Sequence, residues 1–208
     1  DWFFQNIESG IIIEDDCYPD LSFFQYCDDL LTKYENDIRV MIISGSNLGM
    51  KSGNYSYFFS RYGQIWGWAT WRRAWEKFEK TVNINELKFS SIQEKKYWKK
   101  NFSHIIWDVQ WAVYSVWKNN GIAILPNVNL ISNIGFDVDA TNYTDKSNIN
   151  AEIETTSMIF PMIHPSIISV DSKFDIEIFK RSYFVPFYKK IIRTIKYVYI
   201  KIVDIICC

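Results

Sequence analysis

The chain has 208 residues and a formal net charge of −1. That length allows one globular domain plus an appendage, and the near-neutral charge excludes the global basic field of a nucleic-acid binder. The cysteines at 17, 27, 207 and 208 form no paired CxxC spacing and stand far from His104 and His164, so a zinc site is not expected and a reducing, cytoplasmic compartment is.

In chain order, residues 2–8 read as the end of a helix with Gly10 as its stop. Asp1 leads directly into Trp2-Phe3-Phe4, without an initiator Met or a signal peptide. A fragment is therefore expected, with its fold already under way. Ile11–Ile13 is a short β-branched run, the pattern of a buried strand. It stops at Glu14-Asp15-Asp16, and Tyr18-Pro19-Asp20 is a turn from which Asp20 or Ser22 can cap a helix. In that helix Phe23, Phe24, Cys27, Leu30, Leu31 and Tyr34 share one face. Ile38–Ser44 is a second apolar strand closed by Gly45, and strand–helix–strand order signals an α/β fold.

Tyr55–Ser60 predicts a third strand, and Thr70–Lys80 a helix with Trp71, Trp75 and Phe78 on one side. Residues 91–102 predict a lysine-rich helix, and Ile105–Asn119 another that stops at Asn120-Gly121. Ile122–Leu125 and Val128–Ser132 predict short strands, and Asp137–Asn150 a loop. Residues 1–165 are expected to form the domain and 166–208 a linker and tail.

Three features carry chemistry. First, three carboxylates directly after a buried strand raise one another's proton affinity. A divalent cation reverses that, and a diphosphate needs the same cation. Ligands of open α/β sheets bind at the carboxyl ends of strands, where this cluster lies. A solvated acidic turn is the plainer alternative. Second, Asp108 sits among rings in Trp107-Asp108-Val109-Gln110-Trp111 and shares a helix face with Trp111. A carboxylate there suits a general base, although on position alone a helix N-terminal acid facing the dipole is the better reading. Third, Trp66-Gly67-Trp68 can form an indole wall with backbone open to a ligand, followed by Arg72 and Arg73, which can meet phosphate. Core packing and a solvated surface are the alternatives, and core packing is the expectation for Trp71 and Trp75.

An ordered set of motifs resembles bacterial family-2-like glycosyltransferases, some of which carry the label "hemolytic protein". They are Ile12–Pro19 (IIEDDCYP), Phe23–Asp28 (FFQYCD), Met41–Gly45 (MIISG), Tyr57–Tyr62 (YFFSRY), Ile65–Trp75 (IWGWATWRRAW), Trp107–Trp111 (WDVQW) and Leu125–Phe136 (LPNVNLISNIGF). The resemblance runs from about residue 2 to 145, and is specific through its order rather than any one motif. More distantly the chain is similar to the Golgi N-acetylglucosaminyltransferase I family.

The resemblance implies a GT-A-like fold, a Rossmann-like mixed sheet flanked by helices, of which this chain is the C-terminal portion. It implies an inverting transfer from a nucleotide-diphospho-sugar donor to a glycan or lipid-linked acceptor, with Mn²⁺ or Mg²⁺. Asp16 is then the metal ligand, Glu14 and Asp15 contact the donor sugar or ribose, and Asp108 is the base. Trp107 packs on the donor sugar, Ser132 lies near the diphosphate, and Trp66, Gly67, Trp68 and Gln110 line the substrate. One departure is Asn142, where relatives carry a His after Asp-Ala-Thr. A catalytically impaired sugar- or nucleotide-binding module derived from such an enzyme is the alternative.

The tail from Phe187 to Cys208 divides into Lys189, Lys190, Arg193, Lys196 and Lys201 on one arc and Ile191, Ile192, Ile195, Val198, Ile202, Ile205 and Ile206 opposite. That pattern predicts an amphipathic helix. It can lie on the inner face of the cell membrane as a peripheral contact or pack on the domain or a partner, and it is too interrupted by charge to span a bilayer.

Overall fold

The computed structural model describes residues 2–81, 83–101, 107–135 and 153–183. Within them the chain is a mixed α/β protein, with one mixed five-stranded sheet flanked by helices. The sheet strands are β1 (Ser9–Ile12), β3 (Val40–Ser44), β4 (Tyr57–Ser60), β5 (Trp68–Trp71) and β6 (Ile122–Pro126), ordered β1-β5-β3-β6-β4. Only β3 and β6 pair in parallel. These pairings give β1, β3 and β6 one direction, so their carboxyl ends share one edge of the sheet. A separate antiparallel ribbon joins β2 (Cys17–Pro19) to β7 (Ile131–Asn133).

The sheet separates two cores because successive side chains alternate faces. Along β6, Ile122 and Ile124 enter one core while Ala123 and Leu125 enter the other. The first core packs under α2 (Ser22–Lys33), which buries Phe23, Tyr26, Cys27 and Leu30 and leaves Phe24 exposed. The second core is covered by α4 (Ile92–Asn101), by α7 (Ser172–Ile178), and by α5 (Trp107–Val109) running through π-helical Gln110–Ser115 into α6 (Val116–Lys118). Asp20 holds the start of α2 by accepting from the Ser22 amide at 2.8 Å and the Ser22 hydroxyl at 2.5 Å. A two-residue carboxylate turn of this kind satisfies a helix-start donor.

Several expectations change. The Ile11–Ile13 segment is not fully buried. Its strand is Ser9–Ile12, pairs only with β5 and is half-buried along its length, as an edge strand is. Gly10, expected as a helix stop, lies inside it, because α1 (Trp2–Asn6) ends earlier.

Thr70 and Trp71 are strand rather than helix. Trp71, Trp75 and Phe78 fit helical spacing, but Ala69 and Trp71 enter the α2 core while Trp68 enters the other, a period of two. Helix α3 is only Arg72–Trp75. Its arginines are not offered to phosphate. Arg73 stacks on Trp71 at 4.3 Å and donates to the carbonyls of Tyr34, Glu35 and Val40, tying the end of α2 to β3. Arg72 donates to the carbonyls of Phe4 in α1 and of Ile7 just after it.

The expected domain limit at 165 falls inside the packed fold. Phe174, Ile178 and Phe179 are core residues, and Val170 bridges to Phe59 of β4. Asn142 and the 187–208 tail lie outside the described residues. No helix among the described residues is long and apolar enough to cross a membrane.

Candidate functional site

The shared carboxyl edge of β1, β3 and β6 collects most of the residues expected to carry function. The acidic segment leaves β1 and turns at once, with the Cys17 amide donating to the Glu14 carbonyl at 3.1 Å. The β2–β7 ribbon then fixes the turn, pairing Cys17 with Asn133, Tyr18 with Ser132 and Pro19 with Ile131. At its end the Ile134 amide donates to the Asp16 carbonyl at 2.9 Å. Gly135 follows against the Asp16 side chain, and any Cβ there would collide with that carboxylate.

This geometry selects two of the three acids. Glu14 and Asp16 are half-buried, whereas Asp15 is exposed. Glu14, Asp16 and Cys17 each offer a donor atom, and all three atoms lie within 4.8 Å of one another. The three side chains are thus grouped closely enough to be candidate ligands of a single ion, with Cys17 Sγ 3.5 Å from Asp16 Oδ1.

Cys17 was not anticipated in this role. Its signal was available as the residue after the acidic run, but only the turn brings its sulfur back to the carboxylates. Burial, followed by the Asp16 and Glu14 charges, pushes the Cys17 thiol up to about 12. It therefore rests protonated, 3.5 Å from Asp16 Oδ1.

Asp108 belongs to the same electrostatic neighbourhood. The Glu14 carboxyl is raised above its ordinary value first by burial and then by the charges of Asp16, Asp108 and Asp15. Asp108 is itself half-buried, and burial raises its proton affinity. Its Oδ1 accepts from the Val109 amide at 2.6 Å, which fixes the carboxylate at the start of its helix. Trp107 beside it is 44% exposed and so available to a ligand. Trp111, on the same face as Asp108 in the sequence, is fully buried. Gln110 is half-buried, and its carbonyl accepts from Ser115 Oγ at 2.8 Å.

The indole segment divides. Trp66 is half-buried and packs against both cores, so it sits at the sheet edge. Trp68 is 2% exposed and belongs to the core, where its ring stands 6.0 Å from that of Trp111. It cannot form a ligand wall from there. Gly67 does permit a close backbone approach, at φ +60°, but the approach is to protein. Its carbonyl accepts from the Gly45 amide at 2.8 Å, and a Cβ would strike Ile131. Ser132 is half-buried on β7 opposite Tyr18, one position from the Asn133 that faces Cys17.

The fold and the site together define a mixed α/β protein with an acidic, half-buried corner at a sheet edge. No family model matches the chain, and no curated protein matches it.

Proposed function

We propose that this chain functions as a GT-A-like, divalent-metal-dependent glycosyltransferase that takes a nucleotide-diphospho-sugar donor. The reading is carried by one observation: the Glu14–Asp16 turn and Asp108 share one electrostatic neighbourhood, so that the Asp108 charge bears on Glu14. Asp16 and Glu14, with Cys17 beside them, would hold Mn²⁺ or Mg²⁺, and Asp15, exposed at the tip of the turn, would face the donor. A bound cation would neutralise charge on the departing diphosphate.

The chain's own residues supply the rest. The acceptor hydroxyl oxygen attacks the anomeric carbon, the bond from that carbon to the diphosphate breaks, and Asp108 takes the hydroxyl proton. Burial that raises the proton affinity of Asp108 suits a base. Trp107 and Trp66 offer ring faces for sugar or nucleobase, and Ser132 and Gln110 offer polar groups along the same edge. The acceptor is a glycan or a lipid-linked molecule.

The test is a donor panel on the complete protein with and without Mn²⁺ or Mg²⁺, read by thermal stability and by transfer. Cation plus the right donor should raise the melting temperature. Asp108→Asn should leave that rise intact while lowering transfer about a thousandfold. Equal transfer by Asp108→Asn removes the base. A melting rise without transfer in the parent would identify a binding module derived from such an enzyme, the outcome to which Asn142 points.

A further inference from the structure

We infer that the outer face of α4 docks on an anionic lipid bilayer. At about 100° per residue, Glu94 and Trp98 fall on one side of this helix, and they are 3% and 1% exposed. Lys95, Lys96, Lys99 and Lys100 cover an arc of about 140° on the other side, and all four are exposed.

The inward side is firmly seated. Trp98 packs on Trp117 at 6.0 Å and Tyr183 at 4.9 Å, and Glu94 accepts from the Tyr62 hydroxyl and the Ser90 amide, both at 2.5 Å. The lysines therefore stand on a fixed platform rather than on a loop.

Among the described residues no acid forms an ion pair with these four lysines, and the ion pairs there use Arg39, Arg61, Arg72 and Lys118. The one acid of the helix, Glu94, is buried on the other side. A solvated helix face gains from opposite charges four residues apart. Here Lys95 and Lys99, and likewise Lys96 and Lys100, are like charges at that spacing, which costs helix stability. An anionic surface turns that cost into attraction, at a few-fold in affinity per lysine.

The end of the described chain favours lipid over other polyanions. Tyr183 lies 5.9 Å from Tyr97 and 4.9 Å from Trp98 of α4, and residues 184–208 follow it in the sequence. Their sequence interleaves Lys189, Lys190, Arg193, Lys196 and Lys201 with isoleucines. Headgroup phosphates satisfy the cations and the acyl boundary accepts the isoleucines, whereas a nucleic acid offers nothing to the isoleucines. The inference does not depend on the transferase reading.

The test is co-sedimentation of the full-length chain with phosphatidylcholine vesicles, with and without about 30% phosphatidylserine. The parent should bind only the anionic vesicles, and less so as salt rises. A full-length variant carrying K95Q, K96Q, K99Q and K100Q should bind at least tenfold more weakly, with its melting temperature unchanged or raised. The same four substitutions should still weaken a chain carrying K189Q, K190Q, R193Q and K196Q, which separates the helix from the tail. Equal binding by parent and α4 variant overturns the inference. So does failure of the parent to bind anionic vesicles, or tighter binding to an oligonucleotide than to the vesicles at the same salt.

Discussion

Two acidic regions of this molecule differ in what surrounds them. Asp175 of α7 and Glu94 of α4 are each only 3% exposed, yet both carboxylates have donors. Asp175 accepts from the Ser60 hydroxyl at 2.6 Å and from the Arg61 amide at 3.2 Å. Glu94 accepts from Tyr62 and Ser90, with the Arg61 guanidinium 3.8 Å away. Glu14 and Asp16 are less buried, but their surroundings are other acids and a neutral thiol. Acids given donors act as structural clasps, here holding α7 to the end of β4 and α4 to the segment that follows β4. Acids set beside one another repel, a repulsion that a proton or a bound cation relieves.

That contrast breaks first at the catalytic end if it is wrong. The loss of transfer in Asp108→Asn, about a thousandfold, is the largest effect expected, and denaturant unfolding of that variant should match the parent, since no clasp is touched.

The next largest effect belongs to the clasp. Burial outweighs the Ser60 and Arg61 hydrogen bonds and raises Asp175 from the ordinary 3.8 to about 6. The folded state therefore holds this proton more tightly than the unfolded chain does. Its contribution to stability is greatest below pH 3.8 and is lost as pH rises through about 6. Over that window Asp175 alone should lower stability by an amount on the order of 3 kcal/mol. Asp175→Asn should flatten this part of the pH profile in urea titrations, and an unchanged slope would show that the carboxyl does not titrate there.

Two smaller effects sharpen the acidic corner. Gly135→Ala should push the Asp16 carboxylate aside and weaken Mn²⁺ affinity roughly tenfold, with little change in the melting temperature of the metal-free protein. Calorimetric titration reads the affinity and a thermal scan the melting temperature, and an unaltered affinity would remove Asp16 from the metal site. Cys17→Ser should cost several-fold in affinity for Cd²⁺, a thiol-seeking ion, and less for Mg²⁺, which prefers oxygen. Loss of the ultraviolet sulfur-to-cadmium absorption in Cys17→Ser reports the bond directly. An equal loss for both ions would mean that the substitution disturbs the turn rather than removing a ligand.

The periodicity of single segments was legible because it is local. α2, β3, β4 and β6 follow their apolar spacing, and α4 its lysine-rich run, to within a few residues. The acidic run after an isoleucine strand also reads directly. β5 was missed because Trp71, Trp75 and Phe78 satisfy a helical period, and only pairing with β1 and β3 makes Trp68–Trp71 extended. The Asp175 clasp was missed because its partners, Ser60 and Arg61, lie more than a hundred residues away along the chain.

By itself the sequence determined that this is an α/β chain, where its main apolar segments lie, and that three acids end its first strand. The tertiary structure alone decided that Glu14 and Asp16 turn together with Cys17 while Asp15 faces out. It alone decided that Trp68 and Gly67 serve the core and that Arg72 and Arg73 cap backbone. The physical reason is register: the ribbon pairing Cys17 with Asn133 joins positions 116 apart, and no local spacing encodes which side chains such a pairing turns toward one another.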